Sequence, residues 1–185
     1  MLRSLAKSFH NAEAAAARLA AADQGATMVE FALVAPAFLA TLFAIIQVTL
    51  FLFAQQTLQS AAVQAGRVFL TGSAQTGGLT QQQFAANDVC PLIQALFNCN
   101  NLQIDISTYS SFSAASTAAP SLYDSHGNLI TTGTYTPGTQ SQIMVVQLVY
   151  PWPIFGMPLG SVLSNTGYGT ALIMGVTAFK VEPYS

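Results

Sequence analysis

The sequence predicts an α+β fold, a long N-terminal membrane-spanning helix packed on a small antiparallel-sheet ectodomain. Three observations predict it. From Phe31 to Gly66 no side chain carries a charge, and Phe31 to Phe53 alone rises about 35 Å as a helix, against a hydrocarbon core of about 30 Å. Beyond Phe53, Gln55, Gln56, Gln59 and Gln64 alternate with Leu58, Ala61, Ala62, Ala65 and Phe69, so the helix continues in amphipathic form to about Leu70. Downstream, apolar residues alternate in Leu102–Ile106 and run through Gln142–Tyr150 and Thr170–Val181, which read as strands.

Composition agrees with this division. The chain is 52% hydrophobic and only 6% charged, where about a quarter charged is usual for a soluble domain. Setting aside the leader and helix leaves roughly a hundred residues, enough for one modest core. The sequence divides into a leader at 1–25, a transmembrane and extended amphipathic helix at 26–71, and an α+β ectodomain at 72–185. A net charge of -2 supplies no basic patch and argues against nucleic acid as a partner. Arg3, Lys7 and Arg18 precede the apolar segment and only Arg67 lies close behind it, so the positive-inside rule keeps the N-terminus cytoplasmic. The rest is then expected to face the periplasm.

The leader is Ala-rich, with Leu2, Leu5, Phe9 and Ala12 spaced as a loose amphipathic helix, and His10 reads as a solvated surface residue. One acid, Glu30, stands at the head of the oily segment. A carboxylate near the membrane boundary costs on the order of a few kcal/mol unless it is paired or reaches water. Cleavage after Gly25 would begin a new chain at Ala26, placing a free ammonium group one helical turn from Glu30. The acid of one subunit would equally pair with the amine of a neighbour and set their axial stagger. The uncut chain has a neutral amide at that position.

Gly25-x-x-x-x-Glu30-Phe31 at the head of an apolar helix resembles the processing site of type IV prepilins. More narrowly, Gly25 to Pro36 resembles the start of the TadE-like minor pseudopilins of the tight-adherence (Flp, type IVc) pilus. Val149-Tyr150-Pro151-Trp152-Pro153 and Ala178 to Tyr184 resemble that family's strand end and its Arg-Asn-Glu-Pro-like finish, with Lys180-Val181 in place of Arg-Asn. The resemblance implies cleavage between Gly25 and Ala26 by a prepilin peptidase, with Glu30 and Phe31 in subunit pairing. It implies as partners the major pilin, other minor pseudopilins and the inner-membrane pilus assembly platform. It places the chain in a bacterial inner membrane, in contact with lipid, and after processing in the extracellular pilus.

Along the helix, Pro36 removes one amide donor, frees the Ala32 carbonyl and predicts a gentle kink. Ala32, Ala35, Ala37, Ala40, Thr41 and Ala44 would let helices approach closely. Gln47 and Thr49 are expected to bond to the helix backbone or a neighbour. Gly72 is the expected stop, with Arg67 at the C-terminal end and Gly77-Gly78 as a joint. Thr80-Gln81-Gln82-Gln83 has the form of a capping box opening a short helix with Phe84 and Val89, and Pro91 then allows a second turn through Leu92, Leu96 and Phe97.

Cys90 and Cys99 bracket that turn. In an oxidising compartment a bridge between them would contribute about 2–3 kcal/mol; the alternative is two free thiols, and no histidine or further cysteine stands near enough for a metal site. Leu102, Ile104 and Ile106 should face a core. Asp105-Ile-Ser107 begins like the metal-binding motif of integrin-type domains but continues with Tyr109 in place of its second serine. Ser113 to Thr139 reads as a surface excursion with a turn at Asp124–Asn128, and with Tyr123 and Tyr135 on any adhesive surface. Pro151 and Pro153 should end the strand before them, with Trp152 as an anchor, and Ile154–Leu163 should be a connection.

No nucleophile, base or metal spacing suggests an enzyme, and no cofactor or metal is expected. Two functions compete. One is a pseudopilin acting through its processed helix; the other is an uncleaved, membrane-anchored assembly or adhesin-like protein that binds through its ectodomain and needs neither Gly25 nor Glu30.

Overall fold

The computed structural model describes residues 23–117, 133–154 and 170–184. The expected leader helix, the turn at Asp124–Asn128, Tyr123 and most of the connection after Ile154 lie outside the described residues. By contacts the chain divides into Met1–Ile46 and Gln47–Ser185, a boundary inside the first helix. The helix, α1, runs Asp23–Leu70 without a break, with Pro36 inside it. It begins three residues before the expected start at Ala26.

Four carbonyls at the end of any α-helix lack intrahelical partners, and here those of Arg67, Phe69 and Leu70 each find a specific donor. The Thr71 amide donates to the Arg67 carbonyl (3.1 Å), and the Gly72 amide and Gln75 Nε2 donate to Phe69 (3.2 and 3.3 Å). The Glu182 amide, from the far end of the chain, donates to Leu70 (3.0 Å). Gly72 adopts φ +76°, and a Cβ there would overlap the Tyr184 ring, so both its conformation and its surroundings call for glycine.

After a short helix, α2 (Ser73–Thr76), the capping box forms as its sequence suggests: Thr80 Oγ accepts from the Gln83 amide (3.3 Å) while the Thr80 amide donates to Gln83 Oε1 (3.0 Å). It opens α3 (Gln81–Phe84), and the helical run does not stop before Pro91. A wide π-turn, Ala85–Val89, joins it to α4 (Cys90–Ile93). Proline lacks an amide hydrogen and crowds the carbonyl four residues back. The wide turn, in which the Cys90 amide reaches the Ala85 carbonyl, accommodates that defect, so one helical run replaces the expected helix and separate turn.

The sheet has three antiparallel strands in the order β1-β2-β3: β1 (Gln103–Tyr109), β2 (Ile143–Pro153) and β3 (Thr170–Lys180). A short helix, α5 (Phe112–Thr117), follows β1. β1 pairs with β2 from Gln103↔Val149 to Tyr109↔Ile143, and β2 with β3 from Ile143↔Lys180 to Pro153↔Thr170. Thus β2 continues through Pro151 and Pro153, where the sequence predicts its end. The register supplies the reason. Odd-numbered residues of β2 turn their backbone groups toward β1, and β1 has no residue paired beyond Val149. The two prolines therefore lack donors only on an edge with no strand to receive them.

The second unit packs its core between the sheet and the C-terminal half of α1. Ala54, Leu58, Ala61, Ala62, Ala65 and Phe69 of α1 are buried with Phe84, Ile93, Ile104, Ile106, Met144, Leu148 and Ile173. The expected inward faces of Ile104 and Ile106 are observed, while Leu102 is half-buried at the strand entrance. α1 lies so close to β3 that a Cβ on Gly175 would run into the Leu58 carbonyl.

Both sheet edges take bonds from the surrounding chain. Beside β1, the Ile106 amide donates to the Thr134 carbonyl (2.7 Å), the Thr136 amide to the Ile106 carbonyl (2.9 Å) and Gln81 Nε2 to the Ile104 carbonyl (2.9 Å). Beside β3, Gln55 Nε2 donates to the Met174 carbonyl (3.1 Å). Gln59 makes two bonds with Val176, donating to its carbonyl (2.8 Å) and accepting from its amide (3.0 Å). Gln59→Leu keeps the helix but strands both Val176 groups, and should cost about 1–3 kcal/mol in chemical unfolding of the purified chain. Gln56→Leu, on the exposed side of the same helix, should change it by no more than about 0.5 kcal/mol.

Candidate functional site

The head of α1 is built from Gly25 to Pro36. The Gly25–Ala26 peptide bond lies in the first turn of the helix, where amide hydrogens have no intrahelical acceptor. Gly25 is exposed, and a Cβ built on it would meet nothing within 4 Å. A glycine in a helix costs about 1 kcal/mol relative to alanine, and packing gives no reason for one at this position. Glu30 is exposed one turn further on, and Phe31 beside it is 73% exposed.

The segment that follows presents its apolar side chains outward. Leu33 is 74% exposed and Phe38 63%, and the most apolar window of Thr27–Leu70 has a mean hydropathy of 2.3 with only 6% of it buried. This is one helix long and apolar enough to cross a membrane. Its polar side chains are partly self-satisfied: Thr41 Oγ donates to the Ala37 carbonyl four residues back (2.9 Å). Gln47 Oε1 is buried without a hydrogen-bond partner among the described residues. Of the small residues on this segment, Ala35 and Ala44 are half-buried and Ala32, Ala37, Ala40 and Thr41 are exposed.

In the second unit Cys90 and Cys99 form a disulfide with Cα atoms 5.9 Å apart. It closes the turn that carries Phe97, whose ring meets Tyr150 edge-on at 4.9 Å and Trp152 at 5.7 Å between centroids. The Asn98 amide donates to the Tyr150 hydroxyl (3.3 Å). Trp152 is thereby an anchor at the end of the sheet. Asp105 is committed to internal bonds, accepting from Ser107 Oγ (2.7 Å) and from the Thr134 amide (2.9 Å). Among the described residues no group of three His, Cys, Asp or Glu is placed to hold a metal ion.

Tyr135 does not stand on an adhesive surface. It is half-buried, its hydroxyl donates to the Leu79 carbonyl, and its ring meets Phe69 edge-on at 6.2 Å. Desolvation, and then the nearby Asp88 charge, push its phenol above the ordinary value of 10.0. Burial raises the Asp88 carboxyl above its usual 3.8. A group whose pKa is raised on folding contributes stability that is fully present below its unfolded value and lost as pH climbs through the folded one. Stability should therefore fall as pH rises from 3.8 through the Asp88 transition, and fall again above 10. Asp88→Asn should flatten the acid limb in thermal unfolding measured across pH and weaken the alkaline loss.

The glutamines were the residues least visible in advance. Gln55 and Gln59 stand four apart, as any solvated polar face would have them, and only the position of β3 shows what they hold. Glu30, Gly25 and Pro36 are placed together on α1 by the helix itself, whereas the disulfide and the aromatic cluster belong to the second unit.

Comparison with known proteins gives one match. The family model described as TadE-like protein covers residues 25–67, starting at the glycine singled out above and ending in the last turn of α1. No curated protein and no solved structure matches the chain. The stretch that carries the match is the helix whose charge-free run and Gly25–Glu30 spacing resemble the pseudopilins, and over residues 25–67 this chain is similar to the TadE-like proteins.

Proposed function

We propose that the protein is a minor pseudopilin that takes part in assembling a tight-adherence pilus. TadE-like sequences are associated with that pilus system. In this reading α1 inserts in the inner membrane with residues 1–25 in the cytoplasm and the sheet domain in the periplasm. A prepilin peptidase cuts after Gly25, and the new Ala26 ammonium pairs with Glu30 of the same or a neighbouring subunit. The helix then leaves the bilayer's solvation for contacts with the major pilin and the other minor pseudopilins, on the assembly platform. Pro36 and the small residues Ala32 to Ala44 adjust and permit those contacts.

The observation that carries the proposal is Gly25 itself. It sits in the first turn, has open space where a side chain would be, and lies five positions before Glu30, the last acid ahead of the charge-free run. A peptidase that must admit the backbone closely has use for a residue with no side chain, whereas the helix has none.

Mass spectrometry of the protein recovered from sheared pili should find Ala26 at the N-terminus. Retention of Met1 or its neighbour in active protein would return the chain to a tethered domain that binds through its ectodomain. Because nothing surrounds Gly25, Gly25→Leu should leave chemical unfolding of the sheet domain unchanged while blocking cleavage. Glu30→Ala should be cut at close to the native rate yet fail to enter pili; normal incorporation of that variant would remove the pairing role.

A further inference from the structure

Backbone groups in a strand alternate between its two sides, and the outer side of β3 can be read residue by residue. Met174, Val176 and Glu182 all turn toward α1, the first two to Gln55 and Gln59 and the last to the Leu70 carbonyl. Val181, of opposite parity, turns to Gln142, donating to its carbonyl (2.9 Å). Ala178 and Lys180 therefore present two amides and two carbonyls to the same outer side. These four groups have no partner among the described residues. Both residues are exposed.

The gap has a cause in α1. Gln55, Gln59, Val63 and Arg67 succeed one another at four-residue intervals and so form one stripe. The first two supply amides to the edge. Val63, next in line, has no polar atom to offer and is 49% exposed. Gly66 lets the helix settle over the face of the strand: a Cβ there would come within 2.9 Å of Thr177 Cγ2 and 3.0 Å of Phe179. The helix thus covers the face at this level, while the edge beside it is left unbonded.

We infer that the Ala178–Lys180 edge is a docking site for an extended segment of a partner protein that carries a carboxylate. An added strand would satisfy all four backbone groups at once, the mode by which open sheet edges capture peptides. Its apolar side chains on the helix side would meet Val63. Charge selects the segment. Arg67 and Lys180 are the only arginine or lysine residues beyond Arg18; Lys180 stands in the gap's own strand, and Arg67 follows Gly66, which lies against Thr177 and Phe179. Glu182, two residues further along and of the same parity, carries a negative charge, so an acid on the incoming strand belongs opposite Lys180 and away from Glu182. A second copy fits poorly, because antiparallel pairing about the gap would bring two Lys180 side chains onto one face.

The test uses the full-length, isotopically labelled chain in detergent, with amide hydrogen exchange read at Val176, Ala178 and Lys180. Two probes suffice: a five-residue β-branched peptide with glutamate at its centre, and the same peptide with lysine there. In the free chain Ala178 and Lys180 should exchange at least about tenfold faster than Val176. The glutamate peptide should protect both, and the lysine peptide should bind about tenfold more weakly. Lys180→Glu should reverse that preference. Val63→Gln extends the glutamine stripe over the gap, and should abolish protection by peptide while leaving thermal unfolding and the disulfide intact. Three results would overturn the inference: slow exchange at Ala178 and Lys180 in the free chain, equal binding of the two peptides, or unaltered peptide binding by Val63→Gln. Protection that grows with protein concentration alone would instead assign the edge to self-association.

Discussion

Within the sheet domain everything depends on how closely the C-terminal half of α1 can lie against β3. Two glycines set that distance. Gly175 admits the Leu58 carbonyl to the strand backbone, and Gly66 does the same for the helix against Thr177 and Phe179. Alanines at 54, 61, 62 and 65 keep the intervening surface shallow. A helix held this near can reach past the sheet's face with side chains as short as glutamine, and that reach is what brings Gln55 and Gln59 to the edge. With bulkier residues at either glycine the helix would stand off, the amides would fall short, and the strand's outer groups would lose their partners.

The two edges of the sheet solve one problem by different means. An unpaired strand edge invites association with other chains. At β1 the remedy is main-chain: the segment at Thr134–Thr136 runs alongside and is fixed by the Asp105 carboxylate and by Tyr135 lodged against Phe69. At β3 it is mostly side-chain, through amides carried by a helix. A side-chain seal is easily altered one residue at a time, as the change from Gln59 to Val63 illustrates. A main-chain seal would have to be moved as a whole. The difference makes β3 the edge on which specificity can be tuned.

Much of the architecture was legible because it is local. A charge-free run long enough to span a bilayer, the reciprocal Thr80–Gln83 cap, the glycine that stops α1 and the alternation of Ile104 and Ile106 each depend on neighbours within a few residues. Where reading failed, the deciding contact was remote. Pro151 and Pro153 look like a strand terminus until it is known that β1 stops opposite Val149. Tyr135 looks like a surface aromatic until Leu79 and Phe69 are brought beneath it. Of the candidate site, the Gly25 to Glu30 spacing could be read directly, since it lies on one helix. What an exposed apolar face packs against lies outside this chain, and no property of this one encodes it visibly.

The Gln59–Val176 bonds join residues 117 positions apart. At synthesis rates of about 5–20 residues per second, roughly 6 to 23 s separate the appearance of the helix from that of the strand it must grip. During that interval the alanine-lined side of α1 has no sheet to cover it. A domain assembled around so late a contact spends its early life as a bare amphipathic rod, and the lipid surface from which that rod emerges is its nearest shelter.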